Sequence, residues 1–462
     1  MVAMNAKFWF VGFSSALMLA LSVGGPLHTS VFPRVAPSVT LADDDLDPLV
    51  DLEVSVDVQR ARKIDVVTGQ PSSFSVRVTV GGERWESPPV GGFDVWDIGT
   101  AWFDVSDDQA LVPVTIEVLE GGEVMDISPQ GDSLAVTYDL RTGDWSGDDY
   151  LGDPSGYGHA SGTEDGESTD RDYEIWFHIG FNDYDGDGLT YWEEVNVYQT
   201  DPGQNDAGID YDGDGVPIEW EDHWGYDPFA AEDHHRLDPD RDGLQNTEEY
   251  MMGQWLADPF RQDIYIENDY MEPHNGITPL IPQESLQLQY SSFTKHHIML
   301  LVDDGLMGGS DILPYREMSW DDYEDYYTDY FLHGDPGNPR RGVFHWAIII
   351  HDANRMFGRG VGGFNFMRDS FAICSAYIQW WRPWEEGSVL GHGGSYMHEL
   401  GHQLGLDHLR CFPWQPLYWI SGSYRSCMNY RYNYKIVDYS DGTHGFMDRD
   451  EWSQLDLARF QR

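Results

Sequence analysis

The densest group of chemically capable side chains lies in the segment GGSYMHELGHQLGLDHLRC. His398 and His402 are four residues apart, so on a helix their imidazoles face the same side and can reach one metal ion. Glu399 follows the first histidine and can face a water molecule bound to that ion. Gly405 permits a left-handed backbone that ends the helix and turns the chain back, so that His408 reaches the same ion.

Three protein ligands with one open position are the arrangement of a catalytic zinc site, whereas a structural zinc site is closed by four protein ligands. Incidental histidines at a helix end are the alternative, but five fixed residues at these offsets rarely arise by chance. Zinc would polarise a carbonyl and lower the pKa of its water, and a carboxylate would take the water proton. The segment therefore predicts one catalytic Zn²⁺, ligated by His398, His402 and His408, with Glu399 as the general base.

These residues resemble a known family. HELGHQLGLDH matches the H-E-x-x-H-x-x-G-x-x-H pattern of the metzincin zinc endopeptidases. The family has a methionine turn beneath the metal, and SCMNYRY places Met428 where that turn is expected. The resemblance implies a packing role for Met428 and a two-lobed domain whose active helix crosses the cleft. Tyr430 resembles the tyrosine that some metzincins place beside the metal as a ligand or oxyanion donor; a packed aromatic is the alternative.

A second set of candidate ligands forms a repeat, DYDGDGLTYWEE, DYDGDGVPIEWE and DPDRDGLQNTEE. Carboxylates at positions one, three and five, glycine at six and glutamate at twelve have the ligand spacing of a calcium loop, the alternative being a solvated acidic linker. The segment 183–259 resembles bacterial thrombospondin type 3 repeats, which implies about three structural Ca²⁺ ions. The candidate calcium ligands are Asp183, Asp185, Asp187 and Glu194, then Asp210, Asp212, Asp214 and Glu221, then Asp238, Asp240, Asp242 and Glu249.

The elements that must position these side chains differ along the chain. In 46–180, short alternating segments such as FSVRVTV predict an all-β sandwich, which resembles the calcium- and lipid-binding sandwiches of the protein kinase C conserved-domain type. In 263–462, strand-like segments alternate with predicted helices at IPQESLQLQYSSF, SWDDYEDYYTDYF and DRDEWSQLDLARF. The predicted fold class is multidomain: an N-terminal all-β sandwich, a calcium-loop repeat segment, and a C-terminal α/β metzincin-like catalytic domain with a mostly parallel sheet and an active-site helix.

The N-terminus and the net charge limit the location and the partners. One lysine precedes an apolar run in 1–42, which predicts a signal peptide and spacer, with a retained anchor as the alternative. We expect a secreted or extracellular-surface protein without stable membrane insertion after signal removal. The formal net charge of −53 argues against nucleic-acid partners and against attraction to anionic lipid. Such an excess of acid suggests a saline habitat, where salt screens the self-repulsion.

The chain has three cysteines, Cys374, Cys411 and Cys427. Export permits a disulfide, and we predict a bridge between Cys411 and Cys427, which bracket the loop after the histidines. Cys374 is then a buried free thiol. GRGVGG at 358–363 formally matches a nucleotide-binding pattern, but it precedes a strand-like segment and is rejected. Histidines without ligand spacing are predicted to be surface or structural: His234, His235, His296, His297 and His392.

These residues favour a secreted zinc metalloendopeptidase that acts on proteins or peptides, with calcium-stabilised repeats. One alternative is a calcium-dependent adhesion or surface protein with a vestigial zinc domain, but the intact Glu399 speaks against it. The other is a non-peptidase zinc hydrolase such as an amidase, and the methionine turn at Met428 speaks against that.

Overall fold

The computed structural model describes residues 52–64, 73–106, 109–128, 131–149, 158–165, 171–409 and 414–461. The segment 1–42, for which a signal peptide is predicted, lies outside these residues. Among the residues described, no helix is both long enough and apolar enough to cross a membrane.

Short antiparallel strands build the N-terminal part of the described chain. In chain order they are β1 (Glu53–Lys63), β2 (Ser73–Val80), β3 (Glu83–Glu86), β4 (Val90–Gly91), β5 (Asp94–Asp104), β6 (Leu111–Glu120), β7 (Glu123–Val124), β8 (Leu134–Asp139), β9 (Trp145–Gly147), β10 (Gly158–Ser161) and β11 (Tyr173–Phe181). One sheet has the order β10-β11-β1-β5. The other has the order β3-β2-β6-β8-β9, with β4 beside β2 and β7 beside β6.

Alternating β-branched residues explain why these strands stack as two sheets. Val76, Val78 and Val80 of β2 are buried on one face, and polar residues between them are more exposed. Val56 of β1, in the other sheet, belongs to the same apolar core. Burying a side chain of this size stabilises the fold by roughly 1.5–3 kcal/mol. The two sheets therefore form a sandwich around a shared core.

The acidic repeat follows β11 and carries only short helices. They are α1 (Tyr191–Glu193), which continues as a π-helical turn over Glu194–Tyr198, then α2 (Ile218–Trp224) and α3 (Asn246–Met252). Each begins shortly after the glycine at position six of its loop. The first loop leads into a capping box, in which the Thr190 side chain accepts from Glu193 N–H and the Glu193 carboxylate accepts from Thr190 N–H.

A third sheet lies in the C-terminal part. Its strands are β12 (Asp263–Met271), β13 (Met299–Asp303), β14 (Ile312–Leu313), β15 (Phe344–Ile350), β16 (Gly363–Asn365) and β17 (Ser370–Cys374). The order is β13-β12-β15-β17-β16, with β14 beside β12. β12 pairs in parallel with β13, β14 and β15, and β15 pairs in parallel with β17. The edge strand β16 is antiparallel to β17.

The helices of this part are α4 (Gln283–Thr294), α5 (Trp320–Tyr326), α6 (Asn354–Phe357), α7 (Ser375–Trp381), α8 (Glu385–Gln403) and α9 (Pro416–Ile420). α8 is the longest of them, with 19 residues, and contacts α4, β16 and β17. Because α8 crosses the core, side chains near its end are held by several elements at once.

A buried arginine joins the sandwich to the C-terminal sheet. Arg62 of β1 is fully buried, and its Nε donates to Glu174 Oε2 on β11 at 2.6 Å. Its Nη1 donates to the backbone oxygen of Leu300 on β13 at 2.8 Å. From α4, Thr294 donates to the other oxygen of Glu174 at 3.2 Å. A buried charge is tolerated only when it is paired and hydrogen-bonded, so these contacts fasten the two parts together.

The predicted fold class is wrong. The described residues, from 52 to 461, form one compact unit, not a chain of separate domains. The described chain is dominated by strands, and apart from α4 and α8 its α-helices have seven residues or fewer. A separate α/β metzincin-like catalytic domain, with helices covering a parallel sheet, is therefore not what forms. The alternating pattern of β1 predicts that Arg62 faces solvent. In the structure Arg62 lies instead in the interface between the sandwich and the C-terminal sheet, and this interface joins the two parts into one unit.

Two of the three helices predicted after 263 are present, and the last is wrong. IPQESLQLQYSSF contains α4, and SWDDYEDYYTDYF contains α5 with a π-helical turn over Tyr327–Phe331. DRDEWSQLDLARF instead forms two 3-10 turns, Trp452–Gln454 and Leu457–Gln461. Trp452 stacks on His296 at 3.9 Å, and Asp456 N–H donates to Leu404 O, so tertiary contacts interrupt the helix.

Candidate active site

The end of α8 brings the first candidate ligands together. His398, Glu399 and His402 lie in its last turns, and the helix closes through a hydrogen bond from Leu404 N–H to Leu400 O at 2.9 Å. Gly405 follows with φ +95°, a backbone conformation that is unfavourable for any residue with a Cβ atom. The chain then reverses toward His408.

The three imidazoles converge on one point. Each offers a ring nitrogen, and these atoms lie within 4.8 Å of one another. The ring centroids of His398 and His402 are 4.8 Å apart, as are those of His402 and His408. The residues predicted as zinc ligands are therefore brought together.

Backbone oxygens orient two of these rings. His398 Nδ1 lies 2.8 Å from Cys427 O, and His402 Nδ1 lies 2.8 Å from Leu406 O. Each Nδ1 can donate to its carbonyl and leave Nε2 with a lone pair, as metal-ligating histidines generally do. His408 Nδ1 is 3.0 Å from His402 Nε2, so both nitrogens face the space between the three imidazole rings. Burial, and after it the neighbouring His402, lowers the pKa of His398 to about 3, so the neutral form persists.

The turn at Met428 packs against α8 at Gly401. Met428 is fully buried, and a Cβ built on Gly401 would come within 2.7 Å of its sulfur. Only glycine at 401 allows the helix to approach the methionine so closely. Met428 O also accepts from Leu409 N–H at 3.1 Å, beside His408. The packing role implied for Met428 remains a prediction, and its position is compatible with it.

The predicted disulfide is wrong. Cys427 is a fully buried free thiol, and Cys411 lies outside the described residues. Cys427 packs in the same apolar cluster as Met428 and Tyr439, so its side chain lies in the core. Burial raises the pKa of the Cys427 thiol well above its usual value. Cys374 is also a buried free thiol, as expected.

Glu399 is held by a strand that the sequence analysis did not connect with it. It is 6% exposed, and Asn365 Nδ2 donates to its Oε2 at 2.8 Å and to its backbone oxygen at 3.0 Å. Gln403 Nε2 in turn donates to Asn365 Oδ1. Burial raises the pKa of Glu399 to about 8, and the bond from Asn365 acts in the opposite direction.

The glycines rejected as a nucleotide site have a different role here. A Cβ on Gly363 would lie 2.7 Å from Glu399 Cγ, and a Cβ on Gly362 would lie 2.5 Å from the Tyr434 hydroxyl. The two glycines let β16 pack directly on α8. A pair of glycines that ends two residues before a polar residue was the signal that could have drawn attention to Asn365.

Tyr430 lies at the mouth of the histidine cluster. Its ring stacks on His408 with centroids 4.9 Å apart and an interplanar angle of 10°, and it lies 5.7 Å from the His398 ring. The side chain is 38% exposed. It therefore borders both the imidazoles and solvent.

The acidic loops share one backbone geometry. The glycine at position six has a positive φ in all three loops, 92° at Gly188, 109° at Gly215 and 102° at Gly243. Asp183 accepts from the backbone N–H of Gly186, Asp187 and Gly188, and Asp210 accepts from the matching three in the second loop.

Carboxylates crowd together inside each loop. Oxygens of Asp183, Asp185 and Asp187 lie within 4.8 Å of one another, and so do those of Asp210, Asp212 and Asp214. In the third loop burial raises the pKa of Asp240, and the neighbouring carboxylate of Asp242 raises it further. The aspartates predicted as ligands at positions one, three and five are thus brought together in the first two loops. Asp238, at position one of that loop, has one buried oxygen without a hydrogen-bond partner.

The glutamates at position twelve are buried against their loops. Glu194 and Glu249 are 1% exposed and Glu221 is fully buried. Burial raises the pKa of Glu194 to about 7 and that of Glu221 to about 8, and the loop aspartates add to both shifts. Such carboxylates favour either a proton or a cation nearby.

The remaining histidines differ in their surroundings. His392 is buried and lies 3.0 Å from Ser375 Oγ, which fits a structural role, and His235 is exposed. His297 is exposed as well. His234 is fully buried against the second acidic loop, which excludes the surface option of its prediction and leaves the structural one.

Comparisons with known proteins give limited similarity. No protein-family model and no curated protein matches the chain. Among solved structures, one C2 domain of plant extended synaptotagmin 1 is 15% identical over 29% of this chain and 94% of its own, with a TM-score of 0.19. A C2 domain-containing protein from a putative elicitor-responsive gene is 16% identical over 28% and 88%, with a TM-score of 0.18.

Larger proteins also match in part. Human GIVD cytosolic phospholipase A2 is 12% identical over 29% of this chain, with a TM-score of 0.19. The chain spans 17% of that phospholipase and 28% of extended synaptotagmin 2. At these TM-scores and identities, no residue role and no activity passes from the matched proteins to this chain.

Proposed function

We propose that this protein is a zinc-dependent endopeptidase, resembling the metzincins in its ligand motif. The observation that carries the proposal is the convergence of His398, His402 and His408 beside a buried carboxylate, Glu399. Two of the three imidazoles keep a lone pair for an ion because their other nitrogens face backbone oxygens. When bound, zinc supplies Lewis-acid polarisation of the substrate carbonyl and lowers the pKa of its water.

Glu399 is the general base of this proposal. A base must lie close to the proton that it takes and must have a pKa matched to the working pH. Burial holds the pKa of Glu399 up at about 8 without zinc, and a nearby dication would lower it. The bond from Asn365 to Oε2 fixes the rotation of the carboxylate, so the proton taken from water can pass to the leaving amine.

Tyr430 is the oxyanion donor of this proposal. Its ring is stacked on a candidate ligand, His408, and its exposed edge borders the space in front of the imidazoles. Donors aimed at a developing oxyanion stabilise the transition state more than the ground state.

The three acidic loops are proposed as structural cation sites, with calcium in the first and third. Hard oxygen donors at alternate positions, a turn-permitting glycine and a buried glutamate suit calcium. Secretion of the protein through the predicted signal segment is part of the same proposal.

Incubation with casein and a peptide library, read by mass spectrometry, tests the function. The zinc-loaded protein should cut internal peptide bonds, and the chelated protein should not. The matched control is Glu399→Gln, which should bind zinc but cut nothing. Absence of cleavage in both substrates by zinc-loaded protein would contradict the peptidase assignment and favour a non-peptidase hydrolase.

A further inference from the structure

The second acidic loop contains an imidazole. His234 is fully buried, and its Nε2 lies 3.2 Å from Asp214 Oδ2. Asp214, Glu221 and His234 each offer one ligand atom, these atoms lie within 4.8 Å of one another, and all three side chains are buried. The calcium pattern predicts the carboxylates of this loop as ligands, and the structure adds a nitrogen donor to them.

Several of these donor atoms lack a hydrogen-bond partner. Both carboxylate oxygens of Glu221 are buried without one, and His234 Nε2 makes no aligned hydrogen bond to Asp214 Oδ2 although the two atoms are 3.2 Å apart. Buried polar atoms are bonded in the great majority of native structures, and leaving one unpaired destabilises the fold. A cation between them would satisfy all three atoms.

The other nitrogen of the ring has a partner that suits a ligand. His234 Nδ1 lies 2.8 Å from the side-chain amide of Asn246, whose Oδ1 is buried without a partner. Turning this amide by half a turn exchanges its oxygen and nitrogen, so that Nδ1–H donates to Oδ1. Nε2 then keeps its lone pair toward Asp214 and Glu221, which is the usual outer-shell arrangement of a ligating histidine.

Aromatic packing fixes the ring. Trp220 and Tyr226 meet the His234 ring edge to face, with centroids 5.6 Å and 4.7 Å away. The imidazole is therefore oriented before any ion binds, and little conformational entropy is lost on binding.

The first and third loops lack this feature among their described residues. In each of the three loops, a backbone N–H donates to the carboxylate at position five. These N–H groups belong to Asp206, Glu232 and Asp263. Two residues beyond these donors stand Gly208, His234 and Tyr265. Only in the second loop does that position supply a metal ligand.

We propose that Asp214, Glu221 and His234 form a site for a divalent cation of the Zn²⁺ class, in place of calcium. Calcium takes oxygen ligands, whereas imidazole favours zinc and its neighbours in the series. One nitrogen and two carboxylates make a mixed donor set that the other two loops do not offer among their described residues. The site is independent of the proposed catalysis.

Zinc binding by the full chain tests the proposal. His402→Ala weakens the site in α8 and serves as the parent. After loading with zinc in a large excess of calcium and desalting, the parent should keep one more zinc per chain than the same protein with His234→Phe. The matched control is His235→Phe, at the exposed neighbouring histidine, which should keep the parent's zinc.

A second measurement reads the ligands directly. X-ray absorption at the zinc edge of the His402→Ala protein should show an imidazole nitrogen among oxygen ligands, and this signal should disappear with His234→Gln while calcium binding is retained. Equal zinc content with and without His234, or complete displacement of zinc by calcium from the second loop, overturns the proposal.

Discussion

The histidine cluster and the acidic loops both gather metal-ligand side chains, but they are held in different ways. Two of the three histidines lie on a 19-residue helix that contacts α4 and two strands, His408 follows the end of that helix, and backbone oxygens orient two of the three rings. The loops are flanked by helices of three to seven residues. Their buried glutamates include Glu221 and Glu249, in which neither carboxylate oxygen has a hydrogen-bond partner.

This difference separates a preformed site from an ion-dependent one. Packing and hydrogen bonds hold the histidine arrangement without a metal, so loss of the ion should affect activity more than stability. In the loops, crowded carboxylates repel each other until a cation compensates them. Loss of calcium should therefore affect stability first.

Removing calcium should give the largest effect. With calcium at 100 times its dissociation constant, each site adds about 2.7 kcal/mol to the free energy of unfolding, or roughly 5 kcal/mol for the first and third loops together. Without calcium, Glu194 has a folded pKa raised to about 7. The folded state then binds more protons than the unfolded state between about 4.5 and 7, so stability falls as the pH rises through this window.

Thermal unfolding at pH 5 and pH 8, with calcium and with a chelator, measures this effect. The melting temperature should drop on chelation, and the drop should be larger at pH 8. An unchanged melting temperature at both values would show that the loops do not depend on an ion.

Glu399→Gln should give the next largest effect. Loss of a general base costs roughly 10²–10⁴-fold in kcat, while the histidines keep their metal. Zinc content should equal that of the wild type and the melting temperature should change little. His402→Ala is the contrasting variant, which should lose zinc as well as activity; equal kcat in the Gln variant would remove Glu399 from the mechanism.

Tyr430→Phe tests the exposed rim of the site. The ring and its stacking on His408 remain, and only the hydroxyl is lost. If the hydroxyl donates to the oxyanion, kcat should fall roughly 10²–10³-fold with little change in KM. Tyr432→Phe is the matched control, because its hydroxyl donates to Gly422 O away from the imidazoles. A kcat within a few-fold of wild type would leave Tyr430 as a packing residue.

Asn365→Ala should give the smallest effect. It removes one bond to the Glu399 carboxylate, and hydrogen bonds to charged groups are worth about 1.5–3 kcal/mol. We expect kcat to fall by roughly one to two orders of magnitude, with KM and zinc content unchanged. Asn365→Asp should be worse than Ala, because a second carboxylate beside Glu399 repels it. If both variants kept the activity of the wild type, packing against Gly363 would suffice to hold the carboxylate.

The candidate ligands could be predicted from the sequence because their geometry is local. His398 and His402 share a helix face by their spacing, and Gly405 permits the reversal that returns His408. Position six of each acidic loop requires a positive φ, which glycine supplies. These relations depend on residues within one turn of helix or one loop, so the order of residues is enough to place them.

The supports of those ligands were decided by the tertiary structure. Asn365 reaches Glu399 across 34 residues, and Arg62 reaches Leu300 across 238. His234 and Cys427 likewise acquired their surroundings from packing, which is why the burial of that histidine was not foreseen and a disulfide was predicted wrongly. Helix and turn stereochemistry act between near neighbours, whereas burial depends on which distant segments exclude water together. That pairing is a property of the whole fold, and no local pattern of this sequence specified it.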